Sequence, residues 1–255
     1  MRGSLLLPVA GVLAWFVAAT PVSMFAQPGV HQAGASPVGL ETASFEIAQH
    51  GHQVGTASFS IKRTAEGFDS TSLVKVAMQG LDYALSKNEE LSPANALVHV
   101  QLSATVNGEA VNVAARRDSA QLLLDISARG KSSKAHLDAH KGAVFMADFD
   151  PGALETLLEL AAAQNDRDLW AILPKESGSM GPVQLVTYPD QQGKLNGTQI
   201  TVHHLVATIA GASTDLFSGP NNQLLQAELP QEGFALVRKG FVLDPSAKPE
   251  APRTE

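Results

Sequence analysis

The chain has 255 residues, 44% of them apolar, and carries 25 acidic against 18 basic side chains for a formal net charge of -7. That balance argues against a nucleic-acid partner, and the absence of cysteine excludes disulfides, thiolate metal sites and cysteine nucleophiles. Stability must come from core burial, for which the length provides one large β domain.

Arg2 followed by the apolar run Leu5–Ala19 reads as an export signal over residues 1–26. Cleavage is expected after Ala26, with a second candidate after Ala19. Pro8 and Pro21 make the stretch a poor membrane span, so no span is expected after cleavage and the destination is the periplasm or the exterior. Residues 27–40 mix small side chains with Pro and Gly and read as a flexible leader. The folded domain is expected over 41–243, and 244–255, with Pro245, Pro249 and Pro252 among charges, reads as a disordered tail.

Short alternating runs then follow one another. Residues 44–49 and 54–64 flank His50-Gly51-His52-Gln53 as a hairpin, and Gly67 turns the chain into 68–79. Gly80 breaks that run before 82–87. In 97–106, Val98, Val100, Leu102, Ala104 and Val106 share a face, and Asn107-Gly108 is the preferred pair for a type I′ turn into 109–117. Runs at 121–127, 133–139 and 143–149 lead to a change of period.

From Pro151 to Gln164, Leu154, Leu157, Leu158 and Ala161 recur at helical spacing, with Glu155 and Glu159 on the other side. Asp150 suits the N-cap and Pro151 the first helical position. Alternation resumes at 183–188, 198–210, 214–217, 224–229 and 234–242. Sequential hairpins imply neighbouring antiparallel strands, and a wide twisted sheet curls. The expected fold is mainly β: an antiparallel meander of about a dozen strands, curled into an unclosed half-barrel with one covering α-helix.

The eight histidines tempt a metal reading. His50 and His52 flank a turn, His203 and His204 point to opposite faces of a strand, and His136 and His140 sit about 13 Å apart if extended. None matches a ligand motif, so no metal or cofactor is expected. Ser177-Gly178-Ser179-Met180-Gly181 lacks the frame of a nucleophile elbow and reads as a mobile loop. Aromatic residues make up 5% of the chain, which argues against sugar-stacking platforms and the girdles of an outer-membrane barrel. The helix leucines either close a solid core or roof a cavity for an acyl chain, with Trp170 in the apolar stretch that follows.

Phe45-Glu46-Ile47, Gly51, Val54-Gly55-Thr56, the Gly67 turn, and the closing Leu224-Leu225, Leu229-Pro230, Gly233-Phe234 and Arg238 form a further pattern. In these features the chain resembles a poorly characterised exported bacterial family of β-rich proteins, related in architecture to lipoprotein carriers with an unclosed β-barrel. The resemblance implies a curved sheet around an apolar concavity covered by helix and, for some relatives, the carriage of lipid or lipoprotein.

The resulting expectation is an exported, non-enzymatic binding protein for an apolar or lipid-like ligand. Its binding residues would be Leu154, Leu157, Leu158, Ala161 and Trp170, and it would have no catalytic residues. The alternative is a structural or assembly factor of the cell envelope that engages an envelope protein through strand edges. A hydrolase ranks third, because no nucleophile, base and orienting group can be named together.

Overall fold

The computed structural model describes residues 40–164, 168–175 and 178–245. The expected signal at 1–26, the leader up to residue 39, Ser177 and the tail from residue 246 lie outside these residues. The first half contains β1 (Leu40–Gln49), β2 (His52–Arg63), β3 (Phe68–Met78), β4 (Leu81–Leu91), β5 (Leu97–Val106), β6 (Glu109–Asp118), β7 (Gln121–Ala128) and β8 (Lys131–Asp138). The second half contains β9 (Gly142–Phe145), α1 (Pro151–Gln164), β10 (Leu169–Leu173), β11 (Ser179–Leu195), β12 (Thr198–Ile209), β13 (Ala212–Ser218), β14 (Leu224–Leu229), β15 (Phe234–Arg238) and β16 (Phe241–Leu243).

These sixteen strands form one sheet, more than the dozen expected. Strands β1 to β8 make one antiparallel meander and β10 to β15 a second, joined where Phe45 to Gln49 of β1 pair with Phe234 to Arg238 of β15. One ladder departs from the expected antiparallel pairing: β9 and β10 are parallel, and α1 is the crossover between them.

The end strands of this sheet, β8 and β9, are consecutive in the chain and joined only by residues 139–141. Such a link spans at most about 14 Å, so the sheet has to curl until its edges approach each other. No ladder joins β8 to β9, and the barrel stays unclosed. Gly178 lies near the opening, where a Cβ on it would meet Leu124, Ile126 and Ala135.

The helix lies inside the curl against β2, β3, β9, β10 and β14. The Asp150 carboxylate caps it, with Oδ1 accepting the N–H groups of Gly152 at 3.0 Å and Ala153 at 3.2 Å. Residues 151–158 are all buried, so the helix is a central element rather than an amphipathic cover. Glu155, expected on the solvent side, is therefore enclosed. The core joins Leu157, Leu158 and Leu160 to Phe45, Ile47 and Val76 of the sheet, each buried leucine contributing about 1.5–3 kcal/mol.

The pattern expected for 97–106 changes phase at its start. Leu91 faces Leu97 while Glu90 faces His99, so one extra residue in β5, Val98, bulges outward. Leu97 is buried in its place and Val98 is exposed. A second small core of Val202, Phe217, Leu225 and Phe241 sits beneath β16, which pairs with residues 193–195 of β11. Gly193 permits this approach, since a Cβ there would meet the Phe241 ring at 2.9 Å.

Candidate functional site

α1 fills one half of the concavity and leaves the inner face of β5 to β8 without a helix over it. The inward residues there are small or medium: Leu102, Ala104, Val111, Val113, Ile126 and Ala128. Together with Met146, Ala147 and Pro174 they line an open cavity of about 630 Å³, within the usual size range of small-ligand sites. Its walls are mainly apolar, with Tyr83, Ser132 and Ser133 among them, and its charges lie at the rim.

Those rim charges are largely matched. Arg129 Nε meets Glu109 Oε2 at 2.6 Å, and Lys175 Nζ meets Asp148 Oδ2 at 2.7 Å, both pairs exposed. The second pair links the segments after β9 and β10 across the cavity edge. Lys131, at the start of β8, makes no ion pair among the described residues. Tyr83 closes the inner end, its hydroxyl donating to the Asp148 carbonyl at 3.4 Å. Burial, with Asp148 and Asp150 nearby, raises its pKa and keeps the phenol neutral.

Behind this cavity lies a charge cluster without solvent access. Lys87 Nζ is 2.6 Å from Asp150 Oδ2 and 2.8 Å from Glu89 Oε2, and all three side chains are 0% exposed. Ser72 faces Lys87 and Ser70 faces Glu89 across the β3–β4 ladder, both hydroxyls being buried without a hydrogen-bond partner. Phe149 adopts φ +55°, an unusual conformation for an aromatic residue, which turns the chain into Asp150 and stacks its ring edge-on against Phe234. Burial opposes the charge on Lys87, but Asp150 and Glu89 outweigh it and raise its pKa. Burial also raises the pKa of Glu89, against the pull of Lys87. A resting Lys87 is thus a cation and no ready general base.

At the opposite rim a cavity of about 230 Å³ lies between α1 and the ends of β1 to β4, bordered by Glu41, Arg63, Phe68, Glu155 and Glu159. Glu155 Oε2 accepts the Leu224 N–H at 2.6 Å, tying α1 to β14. Burial pushes the Glu155 pKa up to about 8, with the Leu224 bond opposing and Glu41 adding to the rise.

Of the residues expected to bind ligand, Leu154, Leu157, Leu158 and Ala161 are packed in the core and line neither cavity. Trp170 is half-buried beside them, stacked on His140 at 4.0 Å with its indole N–H donated to Asp168. The histidines disperse: His203 is exposed and pairs with Asp190, while His204 is buried between Tyr188 and Phe217 and meets Asp215 at 2.8 Å. Among the described residues no three His, Asp or Glu side chains converge as a metal site.

The sequence reading missed the Lys87–Glu89–Asp150 cluster, although a signal was present. Tyr83, Leu85, Lys87, Glu89 and Leu91 all occupy the inward phase of β4, so two charges stand where apolar residues belong. Ending that strand at Lys87 hid the pattern. No family model matches the chain, and neither the curated proteins nor the solved structures contain a match.

Proposed function

We propose that the chain is an exported, non-enzymatic binding protein that takes an apolar or lipid-like ligand into the cavity over β5 to β8. The observation that carries this reading is the open 630 Å³ space with mainly apolar walls and charge at its rim. The rim ions pair with one another instead of converging on a point where a reacting atom would sit, which favours binding over catalysis. Export rests on Arg2 and the Leu5–Ala19 run. Titration with a fluorescent fatty acid, together with native mass spectrometry of the purified chain, tests it. Saturable one-to-one uptake is expected, and the absence of both uptake and any co-purifying lipid would sink the reading.

The rival reading, an envelope assembly factor acting through a strand edge, draws on the unpaired side of β8. That edge carries Lys131 and Lys134, side chains that discourage strand addition, so the ligand-binding reading is preferred.

A further inference from the structure

We propose that Lys87 and Asp150 join in an intramolecular isopeptide bond, formed by the protein on itself with Glu89 as the proton carrier. Three observations point there. The amine and the carboxylate already touch at 2.6 Å, with Glu89 on the same nitrogen at 2.8 Å. All three groups are sealed from solvent, and Glu89 Oε1 has no hydrogen-bond partner of its own. Asp150 is also held in place from its other oxygen, because Oδ1 caps α1, and from its neighbour, because Phe149 is fixed in a left-handed turn.

The chemistry balances without any other reactant. Lys87 passes one ammonium proton to Glu89, the neutral amine attacks Cγ of Asp150, and a tetrahedral carbon forms. Glu89 gives its proton to Oδ2, then takes the second proton from the nitrogen and passes it to the same oxygen, which departs as water. The Cγ–O bond breaks, the Nζ–Cγ bond remains, and one water leaves for one ammonium and one carboxylate consumed. Burial raises the affinity of Glu89 for a proton and so aids the first transfer, against the hold that Asp150 and Glu89 keep on the Lys87 proton.

Two physical terms favour the amide here over the free ions. The 2.6 Å contact between Nζ and Oδ2 holds the two reacting groups together, and in well-oriented pairs effective concentrations reach roughly 10⁵–10⁸ M. Two opposite charges buried together also carry a desolvation penalty that an uncharged amide escapes. The product would link β4 covalently to the first turn of α1, a cross-link in a chain that has no cysteine for disulfides.

Intact mass spectrometry of the full chain, purified folded and then denatured, gives the test. The wild type is expected one water lighter than its sequence, with a branched Lys87–Asp150 peptide in the digest. Glu89→Gln, which keeps the size of the side chain, is expected to return the full mass. A folded wild type at its full mass overturns the proposal, and so does a water loss traced to a succinimide instead of a branched peptide. Cross-linking that persists undiminished in Glu89→Gln overturns the role of Glu89.

Discussion

The carboxylate of Glu155 accepts the main-chain N–H of Leu224 at 2.6 Å, so the middle of α1 is fastened to the start of β14 through an acid with a raised pKa. The unfolded chain releases this proton near pH 4.5 and the folded chain only near pH 8. The contribution is therefore fully present below pH 4.5 and is lost as pH rises to 8. Compared with Glu155→Gln by urea denaturation, the wild type is expected to lose stability across this window, with a slope of up to about 1.4 kcal/mol per pH unit. Parallel pH profiles for the two proteins would show that Glu155 is not the proton-binding group.

Removing the cation from the buried cluster leaves two carboxylates facing each other. Lys87→Met is expected to cost about 3–5 kcal/mol, measured as a drop in the denaturation midpoint. Replacing all three groups as Lys87→Met, Glu89→Leu and Asp150→Asn keeps a side chain able to cap α1 and is expected to be more stable than Lys87→Met, since neither variant can bond residue 87 to 150 and only the single one leaves unpaired carboxylates. A triple variant no better than the single one would mean that packing, not unpaired charge, governs the site.

Gly152 lies in the first turn of α1, where alanine ordinarily strengthens a helix by about 1 kcal/mol relative to glycine. Here a Cβ would stand 2.5 Å from the Ser72 hydroxyl. Gly152→Ala is expected to destabilise by about 1–3 kcal/mol, and adding Ser72→Ala to relieve it. Thermal unfolding of the single and double variants separates helix propensity from close packing, because propensity alone predicts a gain in both.

Ala104 faces the large cavity from β5. Ala104→Trp fills that space, and uptake of the fluorescent fatty acid is expected to fall at least tenfold, about 1.4 kcal/mol in binding free energy. The thermal midpoint should stay close to wild type, since the ring enters an existing void. Leu157→Ala makes the opposite comparison. It costs about 2–5 kcal/mol of stability while leaving affinity largely unchanged, because Leu157 belongs to the core and not to the cavity wall.

Much of the architecture was legible because it is local. Alternation marked the strands, Asn107-Gly108 marked a hairpin, and Asp150-Pro151 with the leucine spacing marked α1 at the bounds the structure shows. What escaped were phase changes and enclosure. The bulge at Val98 reverses inside and outside over one residue, and only the β4–β5 pairing reveals it. Glu155 looked solvent-facing because a period identifies one apolar face, not whether a second wall lies opposite.

By itself, then, the amino-acid sequence determined a mainly β chain with one capped helix and no cysteine chemistry, since turns, caps and periodicity act over a few residues. The tertiary structure alone decided that β1 meets β15, that α1 is buried within the expected curl and not laid over it, and that the cavity lies over β5 to β8. It also brought Lys87 to Asp150 across a long stretch of chain. Such contacts depend on which strands pair over long separations and on how much volume the helix fills, and neither quantity is written in any short window of residues.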